Sequence, residues 1–418
     1  MPEMISLEEA RELVLSRVSA LEPETVPLLD AAGRVAAADL ASDIDVSPFA
    51  HSAMDGFAVK SASLADASAD SPVELDVIFE VPAGMAYEGD ATDAQCVRIM
   101  TGAPLPECFD AVVKYEVVGV VSGDGRTGSR VSFTSPASVG DNVRAAGEEA
   151  KAGETIITAG EPIGTAGIGF IAGCGILEVP VYSRPKVAII SIGSELVEPN
   201  VKPAPAQIRN SNSYALAACA RAAGCIPEIL PIVADDEAEL SAAVLAATEG
   251  HDFVITSGGA SNGDFDFIKK IVEQEGELLM TTVNMRPSKA QTFGIVNDTP
   301  VFGLPGNPAA AYMGFELIIR PALRKMQGYS CFEHPVVKAR LTCNRKKKDP
   351  RRLFMRSTLT KGADGTLEVT PAKNQSSGLF GVIQKTNCMA ILPEGEVSAK
   401  AGDILDCVLL DVPEEVVL

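Results

Sequence analysis

Glycines, carboxylates and cations follow five short apolar runs in the second half of this 418-residue chain, a pattern able to hold a phosphorylated ligand and a divalent cation together. Gly193-Ser194-Glu195 follows residues 186–192, and Asp235-Asp236 follows 228–233. Ser257-Gly258-Gly259-Ala260-Ser261, then Asp264 and Asp266, follow 253–256. Arg286 and Lys289 follow 278–283, and Pro305-Gly306-Asn307-Pro308 follows 301–304. Exposed glycine amides and helix N-termini bind phosphate, carboxylates hold a hard cation, and Arg and Lys neutralise oxyanions. Each motif has a plainer reading: Asp235 as a helix N-cap, Pro308 as a helix-starting proline, Gly258-Gly259 as a tight turn. Their joint occurrence is what points to a site.

The elements that would gather these motifs alternate cleanly. The five apolar runs read as strands, and helices are expected over 212–223, 236–247, 265–275 and 308–326. Such alternation predicts a parallel sheet with right-handed crossovers and helices on both faces, its ligand site beyond the carboxyl ends of the strands. The flanks read differently. Ser6-Leu7-Glu8-Glu9 is a capping box that opens an amphipathic helix to about residue 20. Short apolar runs between 25 and 144, broken by Pro, Gly and Asp, predict a small β-rich domain. A second helix is expected over 162–174, with Gly175 available to cap it, and is expected to pack on the first helix. The β-rich region would then be an insertion. The tail returns to strands at 336–342, 366–370, 388–392 and 404–410. The reading is a mixed α/β and β chain of four domains: 1–45 with 145–183, 46–144, 184–329 and 330–418.

Composition narrows the function. A net charge of −21 argues against nucleic acid, which needs clustered cations on one face. The run Arg345-Lys346-Lys347-Lys348, followed by Arg351 and Arg352, reads more readily as a solvated hairpin tip than as an anion site. The longest glycine-and-apolar stretch, 163–177, is too short to span a bilayer and is cut by five glycines. With no secretory signal, the chain is expected in the cytoplasm with its nine cysteines reduced. No C-x-x-C pair occurs and there are only three histidines, so a structural zinc site is not expected. His51 reads as a structural histidine. Gly167-Ile168-Gly169-Phe170-Ile171-Ala172 satisfies G-x-G-x-x-A, but no strand leads into it, so small residues allowing close helix packing are the better reading. A G-x-x-x-x-G-K-[ST] phosphate loop is absent.

Several segments in order resemble one family. Ser52-Ala53-Met54-Asp55-Gly56-Phe57-Ala58, Arg98-Ile99-Met100-Thr101-Gly102-Ala103-Pro104, the 257–269 loop, Gly303-Leu304-Pro305-Gly306-Asn307-Pro308, Arg352-x-Phe354-x-Arg356 and Gln375-Ser376-Ser377-Gly378 are similar to signatures of the molybdopterin molybdenumtransferases. That family includes the bacterial MoeA proteins and the E domain of gephyrin. The resemblance covers nearly the whole chain. It implies an elongated subunit of four parts: a helical domain, an inserted β domain, an adenylyltransferase-like α/β domain and a C-terminal β-barrel. It also implies a homodimer whose cleft joins the α/β domain of one subunit to the β domain of the other. The implied substrates are adenylated molybdopterin and molybdate, with Mg2+ required, AMP released and molybdenum left on the dithiolene sulfurs. A molybdopterin adenylyltransferase and acceptor molybdoenzymes would be its partners.

Mapped by motif, Asp55 and Thr101 would act from the partner subunit, with Asp55 orienting a water or molybdate oxygen. Glu195, Asp235 or Asp236, and Asp266 would hold Mg2+, with Glu195 and Asp266 also catalytic. Ser257, Gly258, Gly259, Ser261, Arg286, Lys289, Pro305, Gly306, Asn307 and Pro308 would bind substrate. The chain departs from the family where Met285-Arg286-Pro287-Ser288-Lys289-Ala290 stands for M-K-P-G-K-P, where Gly147-Glu148-Glu149 stands for GED, and at His51, usually Asn. These changes leave tungstate open as the oxyanion. The rival readings are a molybdopterin adenylyltransferase and a non-catalytic pterin-binding scaffold.

Overall fold

The computed structural model describes residues 4–259 and 267–410. Its centre is a six-stranded sheet of β1 (Lys186–Ser191), β2 (Ile226–Ile229), β3 (Phe253–Ser257), β4 (Gly276–Thr282), β5 (Ala290–Val296) and β6 (Thr299–Leu304), in the order β2-β1-β3-β6-β5-β4. The first four in that order are parallel neighbours, whereas β5 runs antiparallel to both β6 and β4. The sheet is therefore mixed, correcting the expectation of a parallel one. Asn297 and Asp298, both at positive φ, make the two-residue turn that folds β5 back onto β6.

Strands covered on both faces read as unbroken apolar runs, and β1, β3 and β6 are buried almost throughout. Alternate residues serve opposite faces. Val187, Ile189, Phe253, Ile255, Phe302 and Leu304 pack under helix Asn212–Ala222 and the helical run from Pro308 to Met326. Ala188, Ile190, Val254 and Val301 pack under helices Glu237–Thr248 and Phe267–Glu275.

The N-terminal helix, Leu7–Ser16, has the expected capping box: Glu9 N donates to Ser6 Oγ (3.1 Å) and Ser6 N to Glu9 Oε2 (2.8 Å). Its partner is not the expected one. Leu7, Ala10 and Val14 join the α/β core, and the helix is held there by Asn284 N to Ile5 O (2.7 Å) and Arg11 Nε to Leu317 O (3.0 Å). The second helix, Thr165–Gly173, instead packs with Leu28, Ala31, Leu40, Ile157 and Val179, beside the pairing of Pro23–Pro27 with Glu178–Tyr182. It carries no charged residue, and a Cβ built on Gly169 or Gly173 would meet nothing within 4 Å. The small residues of this helix thus face open space rather than a helix of the same chain.

Between these segments lies a second six-stranded sheet with its own core, including Phe57, Leu75, Val97, Ile99 and Phe133. At the other end, Val336–Leu341, Arg352–Lys361, Leu367–Pro371, Cys388–Leu392 and Ile404–Leu409 pair in a ring that closes a five-stranded barrel. Met285–Arg286 pairs with Arg352 and Leu353, joining a loop of the α/β domain to that barrel. The nine cysteines form no disulfide. Among the described residues no helix is long and apolar enough to cross a membrane.

Candidate active site

Five loops at the carboxyl ends of β1, β2, β3 and β6 and their neighbours enclose a cavity of about 710 Å3. Its wall includes Glu195, Asp235, Ser257, Gly258, Gly259, Pro305, Gly306, Asn307 and Pro308. Close backbone contact dictates the glycine at 258. Its φ is +95°, its N–H donates to Leu304 O (3.1 Å), and a Cβ there would lie 2.2 Å from Ile192 O. Asp235 and Ser194 clasp one another: Ser194 N donates to Asp235 Oδ2 (2.9 Å) and Asp235 N to Ser194 Oγ (3.1 Å). That clasp fixes the turn carrying Glu195. Asn212, which the sequence reading did not single out, donates through Nδ2 to both Ser257 Oγ (2.8 Å) and Gly306 O (2.9 Å), tying the β3 and β6 loops together. The available signal was a side-chain amide at the start of a helix facing the rim.

Asp236 is the helix N-cap, accepting from Glu239 N (2.8 Å), and is absent from the cavity wall. Ser261, Asp264 and Asp266 lie outside the described residues. Glu195 and Asp235 are therefore the carboxylates on the described wall, and no group of three or more His, Cys, Asp or Glu that could hold a metal occurs among the described residues. The described donors alone do not make an all-protein metal cage. It fits Mg2+, which commonly takes one or two carboxylates and completes its shell with waters and substrate phosphates.

A second cavity, about 770 Å3, adjoins the first and shares Pro305 and Asn307 with it. It lies between the α/β domain and the barrel. Arg286 and Lys289 line it from one side; Arg345 to Lys348, Arg351 and Arg356 line it from the other. The basic run is thus only partly a solvated tip: Lys346 and Lys348 are exposed, but Lys347 is buried and donates to Gly395 O (2.6 Å), and Arg345 Nη2 donates to Pro371 O (2.6 Å). Among the described residues Asp349 is the one carboxylate in the lining. Hydrogen bonds from Arg351, with its charge and that of Arg286, hold the Asp349 carboxyl well below the usual carboxylate range. Arg286 Nη1 reaches it at 3.1 Å.

Arg356 is the most deeply buried of these cations. It is 1% exposed, donates from Nη2 only to Ser376 O (3.2 Å), has an unpartnered Nε and has no carboxylate partner among the described residues. Burial lowers its pKa from the ordinary arginine value. Gln375 fixes its backbone, accepting from Arg356 N (3.1 Å) and donating to Arg356 O (2.9 Å). A buried, unneutralised guanidinium beside a polar cavity is the chemistry of an oxyanion site.

Asp55 and Thr101 meet in the inserted sheet. Asp55 Oδ1 accepts from Thr101 N (2.7 Å) and from Thr101 Oγ1 (2.9 Å), which lowers the carboxyl pKa. Gly56 is required beside them, because a Cβ there would lie 2.2 Å from Val113 O. Neither Asp55 nor Thr101 lines either cavity of its own chain.

Comparison with known proteins agrees with this geometry along the whole chain. Residues 5–175 match the MoeA N-terminal region (domain I and II), 188–325 a probable molybdopterin binding domain, and 338–410 the MoeA C-terminal region (domain IV). A molybdopterin molybdenumtransferase of Staphylococcus aureus is 34% identical over 417 residues, 99% of this chain and 98% of the relative. One from Bacillus subtilis is 36% identical over 390 residues, covering 93% and 90%. Two molybdopterin biosynthesis MoeA structures from Pyrococcus horikoshii share the fold with a TM-score of 0.82 each, at 30% and 26% identity, covering 98% and 97% of this chain and 100% of theirs. Matched from end to end by transferases of this one kind, the chain belongs to the molybdopterin molybdenumtransferase family.

Proposed function

We propose that this enzyme inserts molybdate into adenylated molybdopterin, releasing AMP and leaving molybdenum on the dithiolene sulfurs. The observation that carries the reading is the pair of adjoining cavities. One offers glycine amides and carboxylates suited to a phosphoanhydride, the other a cluster of cations, Arg356 and Lys347 buried among them, suited to a tetrahedral oxyanion, and the two share Pro305 and Asn307. A substrate spanning them would present its anhydride beside the metal it is to receive. Holding both reactants in one geometry removes most of the entropic barrier to their meeting.

Glu195, with Asp235 behind it and Asp266 beyond the described residues, would hold Mg2+, which supplies charge neutralisation on the leaving phosphate. Gly258 and Gly259 present the turn over which the phosphates lie, with Ser257 and Gly306 to Pro308 completing the walls, and Ser261, outside the described residues, is assigned to the same substrate by its motif. Lys289, Arg286 and Arg356 bind molybdate oxygens; tungstate, of the same charge and shape, would occupy the same place. Asp55, ionised by its two bonds from Thr101, orients the oxygen nucleophile. Because these two residues lie outside both cavities of their own chain, they are assigned to the site of a partner subunit. The uncharged, exposed face of helix Thr165–Gly173 supports a homodimer. The adenylated substrate implies an adenylyltransferase upstream and molybdoenzymes that accept the product, all in the cytoplasm.

The separate-subunit assignment gives a direct test. Asp55→Asn and Glu195→Gln proteins, each inactive in AMP release, should recover activity when their subunits are mixed, since one of the two sites in a mixed dimer is intact. Full activity of Asp55→Asn alone would remove that residue from the mechanism.

A further inference from the structure

Two unfavourable arrangements coincide at the turn that carries Arg286 and Lys289. Ser288 adopts φ +75°, in the left-handed region that a side chain disfavours, and its buried hydroxyl has no partner among the described residues. Gln291, in β5 immediately after the turn, is fully buried, and its Oε1 also has no partner among them. The same Gln291 donates through Nε2 to Ser288 O (2.7 Å) and approaches Met285 Sδ (3.3 Å), so one buried amide grips the turn at both ends. Both unpartnered oxygens face Gly314 on the following helix. A Cβ there would lie 2.9 Å from Gln291 Oε1, 3.0 Å from Ser288 Oγ and 2.7 Å from Leu304 Cδ2, so only glycine leaves them room. Strain and unmet hydrogen-bonding capacity of this kind persist where the surrounding structure over-determines a functional conformation. Here that conformation aims two cations into the cavity wall.

We infer that Gln291 is a positioning residue for oxyanion capture: its amide locks Ser288 in the left-handed turn and thereby sets Arg286 and Lys289 against the bound oxyanion. The inference rests on the reading of the cationic cavity as the molybdate site. It distinguishes a grip on the turn from ordinary core packing, because the grip matters only while residue 288 resists its own backbone conformation. Glycine adopts φ +75° without strain. Removing the amide should therefore be harmful with serine at 288 and largely repaired with glycine there.

The test is calorimetric titration of the full-length protein with sodium molybdate, alongside the molybdate KM and kcat of AMP release and a thermal melt. Gln291→Met keeps length and apolar bulk but removes the amide. It should weaken molybdate binding roughly tenfold, raising KM more than it lowers kcat, since misplacement of charged contacts by a fraction of an ångström acts at that scale. The double variant Gln291→Met with Ser288→Gly should recover to within about threefold of the parent. Gly314→Ala, pressing on the same amide and hydroxyl from the helix side, should weaken binding as well and serves if Gln291→Met does not fold. Parent-like molybdate binding in Gln291→Met overturns the inference. So does a loss that Ser288→Gly fails to repair, which would mark Gln291 as packing alone. If the parent itself does not bind molybdate, the cavity reading falls, and the inference with it.

Discussion

Replacing Arg356 by methionine should make the empty protein more stable and abolish its response to oxyanions. The side chain is 1% exposed, Nη2 has one hydrogen bond at 3.2 Å, and Nε has none. An unmet buried donor costs about 1–3 kcal/mol, and an unpaired buried charge more, while a methionine of similar length would fill the same buried space. Stabilisation by about 1–3 kcal/mol is therefore expected. For a barrel of roughly 80 residues, that raises its own transition by at least about 4 °C. Molybdate should oppose this ranking. At a hundred times its Kd it would stabilise the parent by about 2.7 kcal/mol and leave the variant unmoved. Differential scanning calorimetry in a buffer free of phosphate and sulfate, with and without molybdate, reads both quantities. A variant that melts lower than the parent in that buffer, or that gains as much from molybdate, would refute the assignment of Arg356 as a cation awaiting an anion.

Other expectations follow from single contacts. Gly258→Ala combines φ +95° with a Cβ placed 2.2 Å from Ile192 O, so it should destabilise the α/β domain by about 3 kcal/mol or more and collapse substrate binding, as read by denaturant unfolding and AMP release. Thr101→Val removes one of the two donors to Asp55, so the carboxyl pKa should rise toward the ordinary aspartate value, measurable by carbon NMR titration. Because the folded pKa is the depressed one, the stability and activity that need ionised Asp55 are present above the unfolded value and lost as pH falls through the folded value. The variant should lose activity at a higher pH than the parent. Native thiol labelling should reach exposed Cys331 first. Cys96 and Cys225, whose thiols burial pushes up to about 12, should label only after unfolding, and equal labelling of all three would contradict the packing.

The α/β domain was legible because its strands are buried on both faces and its helices lie between them at regular intervals. What escaped was the antiparallel strand β5. Its turn is Asn297-Asp298, without the glycine that usually announces a two-residue hairpin, and it lies beside a loop already assigned to ligand binding. The ten-residue strand Arg352–Lys361 escaped for a related reason: Leu353, Met355 and Leu359 face the barrel core, but the other face carries Arg356, which is buried beside the cavity where a half-exposed strand would be solvated. The same trade hid half of the basic run, since Arg345 and Lys347 are drawn inward while Lys346 and Lys348 stay exposed. Charge runs are normally solvated, and only the fold brings this one against Arg286 and Lys289. The N-terminal helix displayed its capping box and apolar face plainly, yet an amphipathic face does not name its partner. At the rim, the glycines and prolines marked their positions by backbone demand. The choice between Asp235 and Asp236 needed the cap geometry, since adjacent carboxylates before a helix look alike in sequence.

The most direct test of the central claim is AMP release from adenylated molybdopterin by the purified full-length protein with Mg2+, titrated in parallel with molybdate and with tungstate, and with the metal on the recovered pterin counted. The account predicts release that depends on the oxyanion, with one metal atom transferred for each AMP. Tight pterin binding without release, or release with no metal on the pterin, would contradict it.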